Sequence, residues 1–260
     1  MAAQRRHNRK RRARGRFRAL YQLLAVLAVA AAVTAGCIVF FRVETITVSG
    51  SSRYTADQIV EVSGVEQGDY LATLDKNRIA RLIRSTLPYV ETVSIRRVLP
   101  DTVLITVQES SAAAAVKAGG SWWLINSAGK LLETVPSAAG RAELLGLEPL
   151  DPAEGSMARL PEEDAIRWGY AMDFLRALEE RDMLSGLTSL DCSTAGTFTA
   201  GYGGRFTLVF PSTGDFGEYL SMFSRAVEEK LEDSETGIFD FTHYDTTGYV
   251  HFRHDNQASE

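Results

Sequence analysis

One pair of residues in this 260-residue chain has the spacing of a catalytic serine and its lysine base. Ser127 and Lys130 stand three residues apart, so on a helix the amine would lie one turn from the hydroxyl and could take its proton. The flanking residues predict a hairpin, however, because 122–125 and 130–135 have the pattern of two strands. Neither Ser-Asp-Asn nor Lys-Thr-Gly occurs in the sequence. We therefore predict that this pair is not catalytic.

Histidines and carboxylates near the end of the chain are candidates for a metal site. His243, His251 and His254 occur there with Asp245 and Asp255. They lack the His-x-x-x-His spacing that places two ligands on one face of a helix. We expect a solvated C-terminus, with a zinc site as the alternative.

The remaining candidates for chemistry have simpler structural explanations. Gly201-Tyr-Gly-Gly204 lacks the Lys-Ser/Thr ending of a phosphate-binding loop, so we interpret it as a hairpin turn. Two cysteines, Cys37 and Cys192, exclude a disulfide-stapled scaffold and a four-cysteine zinc site. Cys192 is expected to be a small core residue. The sequence thus predicts a protein that is not an enzyme and has no cofactor.

The charge distribution narrows the class of protein further. The composition is globular, with 45% hydrophobic and 23% charged residues. Residues 1–18 hold nine cations and no acid, whereas the remaining chain holds 19 cations against 33 acids. The net charge of −5 does not reveal this asymmetry. Because the chain after residue 18 is acidic, a uniformly basic nucleic-acid binder is excluded.

An uncharged run of 23 residues, from Ala19 to Phe41, follows the basic arm. As a helix it would be about 34 Å long, enough for a hydrocarbon core of about 30 Å. The positive-inside rule then places residues 1–18 in the cytoplasm and 42–260 outside. A cleaved signal peptide and a lipoprotein box at Ala35-Gly36-Cys37 are the alternatives. The run is long for the first, and Thr34 replaces the aliphatic residue expected in the second.

The region after this run has the pattern of two α+β domains. Residues 42–110 predict the order β-α-α-β-β, with a capping box at Thr55 and Gln58, a helix capped by Asp75, and a hairpin turning at Pro100. Residues 111–253 predict a mixed domain with a C-terminal antiparallel sheet. Its expected elements are a hairpin over 122–135, a surface connection over 136–161, helices over 162–182 and from 216, a hairpin over 198–210, and strands over 237–242 and 249–253. Residues 254–260 form a polar tail.

The first domain carries a family resemblance. Two segments resemble the POTRA domain of the FtsQ/DivIB family of bacterial cell-division proteins: FRVETITVSG (41–50) and GVEQGDYLATLDKNRIARLIRSTLPYVETVSIRRVLPDTVLITVQE (64–109). Their position directly after a single predicted span fits the same family. GSWWLINSAGKLL (120–132) resembles the opening of that family's second domain, the β domain. The chain has Asn126 where the family commonly shows Asp, so a role for that carboxylate does not carry over.

The resemblance implies a single-pass membrane scaffold at the division septum. Its implied partners are single-pass division proteins of the FtsB/DivIC and FtsL types and the septal peptidoglycan synthase complex, whose activity it would help to control. The alternative is a POTRA-containing component of a protein secretion or outer-membrane assembly pathway.

The last predicted strand is the candidate partner-binding site. It comprises Tyr249, Val250, His251, Phe252 and Arg253, and no further strand follows it in sequence. A terminal strand often lies at a sheet edge, where unpaired backbone groups can accept a strand from another chain. Alternation places Val250 and Phe252 toward the core. Tyr249 and His251 are then the expected partner contacts.

Overall fold

The computed structural model describes residues 9–138 and 140–254, and the chain separates into two compact units. The first combines the chain up to Ala80 with Val93–Val107, and the second combines Arg81–Thr92 with the chain from Gln108 onward. The start of this last segment lies close to the expected domain boundary after residue 110, whereas Arg81–Thr92 groups with the second unit.

The first element is a 32-residue helix, α1 (Arg9–Phe40), which includes most of the uncharged run. Large apolar side chains are exposed on successive turns of this helix, among them Leu20, Leu23, Leu27 and Val33. Among the residues that the structure describes, no helix combines the length and the apolar content that a membrane span requires. The span predicted over 19–41 stays a prediction.

The region after α1 has the expected β-α-α-β-β order. Its elements are β1 (Thr45–Ser49), α2 (Ala56–Ser63), α3 (Lys76–Thr86), β2 (Val90–Val98) and β3 (Thr102–Glu109). They form a three-stranded sheet in the order β1-β3-β2, in which β1 runs parallel to β3 with Ile46 opposite Val103.

Local sequence signals fix the ends of these helices. The Thr55 hydroxyl accepts a hydrogen bond from the Gln58 N–H, and the Gln58 side chain accepts one from the Thr55 N–H, which confirms the capping box. The Asp75 carboxylate accepts from the N–H groups of Asn77 and Arg78 at the start of α3. Both predicted caps are therefore present, and they satisfy amide groups that have no partner inside the helix.

The second unit is built on a nine-stranded mixed sheet in the order β12-β11-β10-β9-β8-β7-β4-β5-β6. Its strands are β4 (Ala114–Ala118), β5 (Ser121–Ile125), β6 (Leu131–Val135), β7 (Ala142–Leu145), β8 (Leu187–Asp191), β9 (Thr197–Tyr202), β10 (Phe206–Pro211), β11 (Gly237–Asp240) and β12 (His251–His254). Its helices are α4 (Glu162–Glu179), α5 (Phe216–Lys230) and the single turn α6 (Tyr244–Thr247).

The expected surface connection over 136–161 is wrong in part, because it contains β7. This strand lies inside the sheet, parallel to both β4 and β8. Ala142 and Leu144 are buried while Glu143 and Leu145 are exposed, so the four residues do alternate. The signal was missed because it spans only four residues among prolines, glycines and acids. A purely antiparallel C-terminal sheet is also wrong, since β10 and β11 are parallel.

Helices α4 and α5 supply the core that supports this sheet. The sequence of the helix predicted over 162–182 places Trp168, Ala171, Met172, Leu175 and Leu178 on one apolar stripe, and in α4 all five are buried. Buried side chains of α5 join the same cluster, which extends to the aromatic rings of β10 and β11. The sheet strands nearest the C-terminus therefore pack on an aromatic core.

Candidate partner-binding edge

The strand β12 ends the nine-stranded sheet and pairs only with β11 on the described part of the chain. The expectation that the last strand lies at an edge is confirmed. The strand begins two residues later and ends one residue later than predicted, since Tyr249 and Val250 precede it and His254 belongs to it. Gly248 adopts φ +70° at the end of α6, and the Tyr249 N–H donates to the Thr247 hydroxyl at 3.3 Å. Tyr249 therefore belongs to the turn that precedes the strand.

The two faces of this segment have the predicted character. The Phe252 ring lies 4.7 Å from the Phe239 ring, and Val250 packs against the core cluster. Tyr249 is 73% exposed, and His251 and Arg253 are exposed as well. An incoming chain would therefore meet polar and aromatic side chains on one face and a packed apolar face on the other.

The register shows which backbone groups of β12 point away from the sheet. Phe241 and Gly237 donate their N–H groups to Val209 and Arg205 on the β10 side. Alternation then directs the backbone groups of Ile238 and Asp240 toward β12, where they pair with Arg253 and His251.

Consequently the N–H groups of Phe252 and His254 face outward, and that of His251 faces inward. The two outward donors are two residues apart, which is the spacing at which an added strand forms backbone hydrogen bonds.

A cleft of about 560 Å³ lies between the edge segment and α5. Met222 and Ala226 of α5 meet Val250 and Phe252 across it, and all four are partly buried. The exposed residues Arg225, Glu229 and Lys230 line its α5 side. The arrangement can hold an apolar side chain from a strand paired with β12, with charged groups along its margin.

Two tyrosines of the second unit attach α6, and with it the approach to β12, to α5. The Tyr219 hydroxyl donates to Asp245 Oδ1 at 3.0 Å, and the Tyr244 hydroxyl donates to Glu218 Oε1 at 2.8 Å. Burial, followed by the bond to Asp245, raises the pKa of Tyr219 to about 12. The bond to Glu218 and then burial raise the pKa of Tyr244. Both hydroxyls therefore stay protonated as donors at neutral pH.

Charged groups lie next to the edge strand. Burial acts to raise the pKa of Asp240, but hydrogen bonds from Thr242 and the nearby charge of Arg253 outweigh it, so the pKa is lowered. His254 Nδ1 lies 3.8 Å from Glu235 Oε1. The edge is thus bordered by an ionised carboxylate and by Arg253, which favours partners that carry complementary charges.

The serine and lysine with catalytic spacing, Ser127 and Lys130, make hydrogen bonds to different partners, and none is seen between them. Ser127 donates its hydroxyl proton to the Glu179 carboxylate, whereas Lys130 Nζ donates to the carbonyl oxygens of Arg84 at 3.0 Å and Val90 at 3.1 Å. Desolvation, together with the charge of Arg84, lowers the pKa of Lys130. The pair lies in the hairpin turn, as predicted. The lysine amine links this turn to the backbone carbonyls of Arg84 and Val90.

Asn126 and the histidines have structural surroundings of their own. The Asn126 Oδ1 accepts from the N–H groups of Ala128 and Lys130, and its Nδ2 donates to Ser110, so this residue organises the turn. Within 9–138 and 140–254, no three His, Cys, Asp or Glu side chains are grouped to hold a metal ion. Asp255 lies outside the described residues.

Sequence reasoning missed the α5 side of the cleft and the Tyr219–Asp245 contact. Both depend on how α5 packs beside the last strands, because Met222 and Asp245 are far apart in sequence. The apolar spacing of α5 by itself predicts a stripe that faces the core and does not show which residues border the last strand. A signal was present in part, since Met222 and Ala226 are one helical turn apart and the charged Arg225, Glu229 and Lys230 lie beside them in sequence.

Comparisons with known proteins place the chain near the bacterial cell-division proteins. Residues 41–110 match the family described as POTRA domain, FtsQ-type. The chain is 29% identical over 109 residues to the cell division protein FtsQ of Streptomyces bingchenggensis, covering 42% of this chain and 41% of that protein. It is 32% identical over 101 residues to the cell division protein DivIB of Clostridium acetobutylicum, covering 39% and 40%. It is 28% identical over 144 residues to FtsQ of Corynebacterium glutamicum, covering 55% and 62%. The chain thus spans less than two thirds of the length of these relatives.

Proposed function

Since this chain is a relative of the FtsQ and DivIB cell-division proteins through its FtsQ-type POTRA domain, we propose that it is a non-enzymatic scaffold of the divisome. It binds single-pass division proteins of the FtsB/DivIC and FtsL types at the septum, and through them it helps to control the septal peptidoglycan synthase complex. The observation that carries this proposal is the open edge of β12 beside the apolar cleft.

The binding mode follows from the geometry of that edge. A partner segment adds as a strand and pairs with the outward N–H groups of Phe252 and His254, which provides affinity without regard to sequence. One of its alternate side chains fills the cleft between β12 and α5, and its charges meet Arg253 and the charged margin. The side chains of Tyr249 and His251, exposed beside the strand, contribute to selection of the partner.

The helix α1 supplies the membrane anchor in this proposal. Its exposed leucines and valines leave a broad apolar surface that acyl chains would cover. The nine cations of residues 1–18 keep the N-terminus in the cytoplasm and place both folded units outside it, beside the other single-pass proteins.

The substitution His254→Pro tests strand addition directly, because it removes an outward donor at the edge without breaking the pairing with β11. Loss of one backbone hydrogen bond of about 0.5–1.5 kcal/mol weakens capture of an FtsB/DivIC-type partner by roughly twofold to tenfold. The measurement is the dissociation constant of the purified full chain for the extracytoplasmic segment of that partner.

A matched control separates the effect of losing the backbone N–H from the effect of losing the imidazole side chain. His254→Ala keeps the N–H and removes the imidazole, so it should bind nearly as tightly as the unaltered chain. If a folded His254→Pro chain binds as tightly as His254→Ala, strand addition at this edge is refuted.

A further inference from the structure

The hairpin between β2 and β3 ends in an exposed apolar tip, which we define as Val98–Pro100. Val98 is 48% exposed and Leu99 is 70% exposed. Outside α1, they are the only two consecutive large apolar side chains that are both exposed in the part of the chain that the structure describes. A tight turn between two strands can be made from polar residues, so the apolar pair needs an explanation beyond folding.

The end of α1 is fastened to the first unit without a flexible linker. Leu71 donates its N–H to the Phe41 carbonyl at 3.0 Å, and Val43 exchanges backbone hydrogen bonds with Asp69 and Gly68 at 2.8 Å each. Val43 is 2% exposed, so the residue three positions after α1 is already in the core. The direction in which the first unit leaves α1 is therefore fixed.

The same connecting segment holds the tip. Glu44 and Thr45 both donate their N–H groups to the Asp101 carbonyl, at 2.8 and 3.3 Å. Phe40 and Pro100 line one cleft of about 570 Å³, so the last residue of α1 and the tip border the same depression. The tip stands beside the end of the proposed anchor.

We propose that the Val98–Pro100 tip inserts into the outer interface of the membrane that α1 anchors, so that the first unit is held against the lipid. This inference rests on the proposed anchoring of α1. A span that ends at residue 41 places Phe40 at the level of the headgroups, where aromatic side chains are favoured. Phe40 is 63% exposed and borders the cleft that also contains Pro100.

The charges near the tip suit this depth. Arg96 precedes the tip on β2 and is exposed, and Arg42, which follows the end of α1, is exposed as well. The guanidinium of the neighbouring Arg97 donates to the Leu74 carbonyl at 2.6 Å. Guanidinium groups pair well with lipid phosphates while their neighbours enter the apolar layer. Glu44 and Asp101 line the same cleft, and their negative charges would be repelled by an anionic surface. The attraction to the membrane is therefore provided by the apolar side chains of Val98 and Leu99 and not by net charge.

A fluorescent label on Leu99→Cys tests the inference in the full chain, inserted in vesicles of phosphatidylcholine and phosphatidylglycerol. Cys37→Ser removes one competing thiol. Cys192 is fully buried, and burial raises the pKa of its thiol to about 12, so it stays unlabelled. Ile166→Cys on α4 is the matched control, because Ile166 is 69% exposed and also apolar.

The label at position 99 should emit at shorter wavelength and lose intensity when the vesicles contain a lipid with a nitroxide near its headgroup. The label at position 166 should do neither. If the chain resists alkaline extraction from the vesicles and the label at 99 behaves like that at 166, the tip inference is wrong and the anchor stands. If alkaline extraction releases the chain, the anchor and the inference are both wrong.

Discussion

At the scale of single residues, the contact between Tyr219 and Asp245 is one of two hydrogen bonds from tyrosines that attach α6 to α5. Tyr219 is 2% exposed, and its ring lies 5.8 Å from that of Tyr244. Its hydroxyl links the first turn of α5 to α6, the turn that precedes the edge strand. One phenol thus connects the packed core to the segment on which strand addition depends.

Removing this hydroxyl should change how stability depends on pH. The pKa of Tyr219 is raised from 10.0 to about 12 in the fold, so its contribution is complete below about pH 10 and is lost as the pH rises toward 12. Tyr219→Phe should lower the free energy of unfolding at pH 8 by about 0.5–1.5 kcal/mol. Between pH 10 and 12 it should lose less stability than the unaltered chain. Urea unfolding of the detergent-solubilised chain at several pH values measures both effects, and equal losses over that interval would contradict the assignment.

At the scale of elements, β7 completes the nine-stranded sheet although the residues around it have the composition of a loop. It lies between β4 and β8, and both pairings are parallel. Leu144 is 2% exposed, whereas its neighbour Leu145 is 38% exposed. Four residues therefore join two halves of the sheet that are made from distant parts of the chain.

Two neighbouring leucines test this role. Leu144→Ala should lower the free energy of unfolding by about 2–5 kcal/mol, because it leaves a cavity in the core. Leu145→Ala removes the same atoms from the exposed face and should cost less than about 1 kcal/mol. Urea denaturation of the two variants provides the comparison. Equal small effects would mean that 136–161 is a surface connection after all.

The elements that sequence predicted correctly are those with local signals. Thr55 and Asp75 cap helices through contacts within three residues, and Gly203-Gly204 turns a hairpin because both residues have positive φ. The order of the nine strands depends on pairings between residues far apart, such as Leu144 with Leu190, which no local pattern contains. At the binding edge, alternation predicted the faces of Val250 and Phe252, but only the register with β11 shows which N–H groups point outward.

At the scale of the whole molecule, the charge asymmetry and the strand order set where the binding edge is presented. The nine cations lie before the uncharged run of α1, within residues 1–18, and β12 lies more than 200 residues further along the chain. If α1 spans the membrane, these two features are on opposite sides of it.

An alkaline phosphatase reporter fused after Glu260 should be active, because it folds only outside the cytoplasm. Exchanging Arg5–Arg12 for a different lysine-rich sequence should preserve this activity, since the positive charge and not the sequence sets the orientation. The comparison is enzymatic activity in cells, normalised to the amount of fusion protein. An inactive reporter on a stable fusion would overturn the orientation and the scaffold proposal together.

The position of β12 in both sheet and sequence has a consequence for biosynthesis. Every other strand of the nine-stranded sheet precedes it along the chain. During synthesis and export, the sheet can be assembled up to β11 while the acceptor edge is still absent. A product interrupted before His251 would expose β11 instead, with the different backbone groups of Ile238 and Asp240 facing outward. If partners add to β12 as proposed, the acceptor edge forms only after this strand has been synthesised, and a chain interrupted before His251 lacks it.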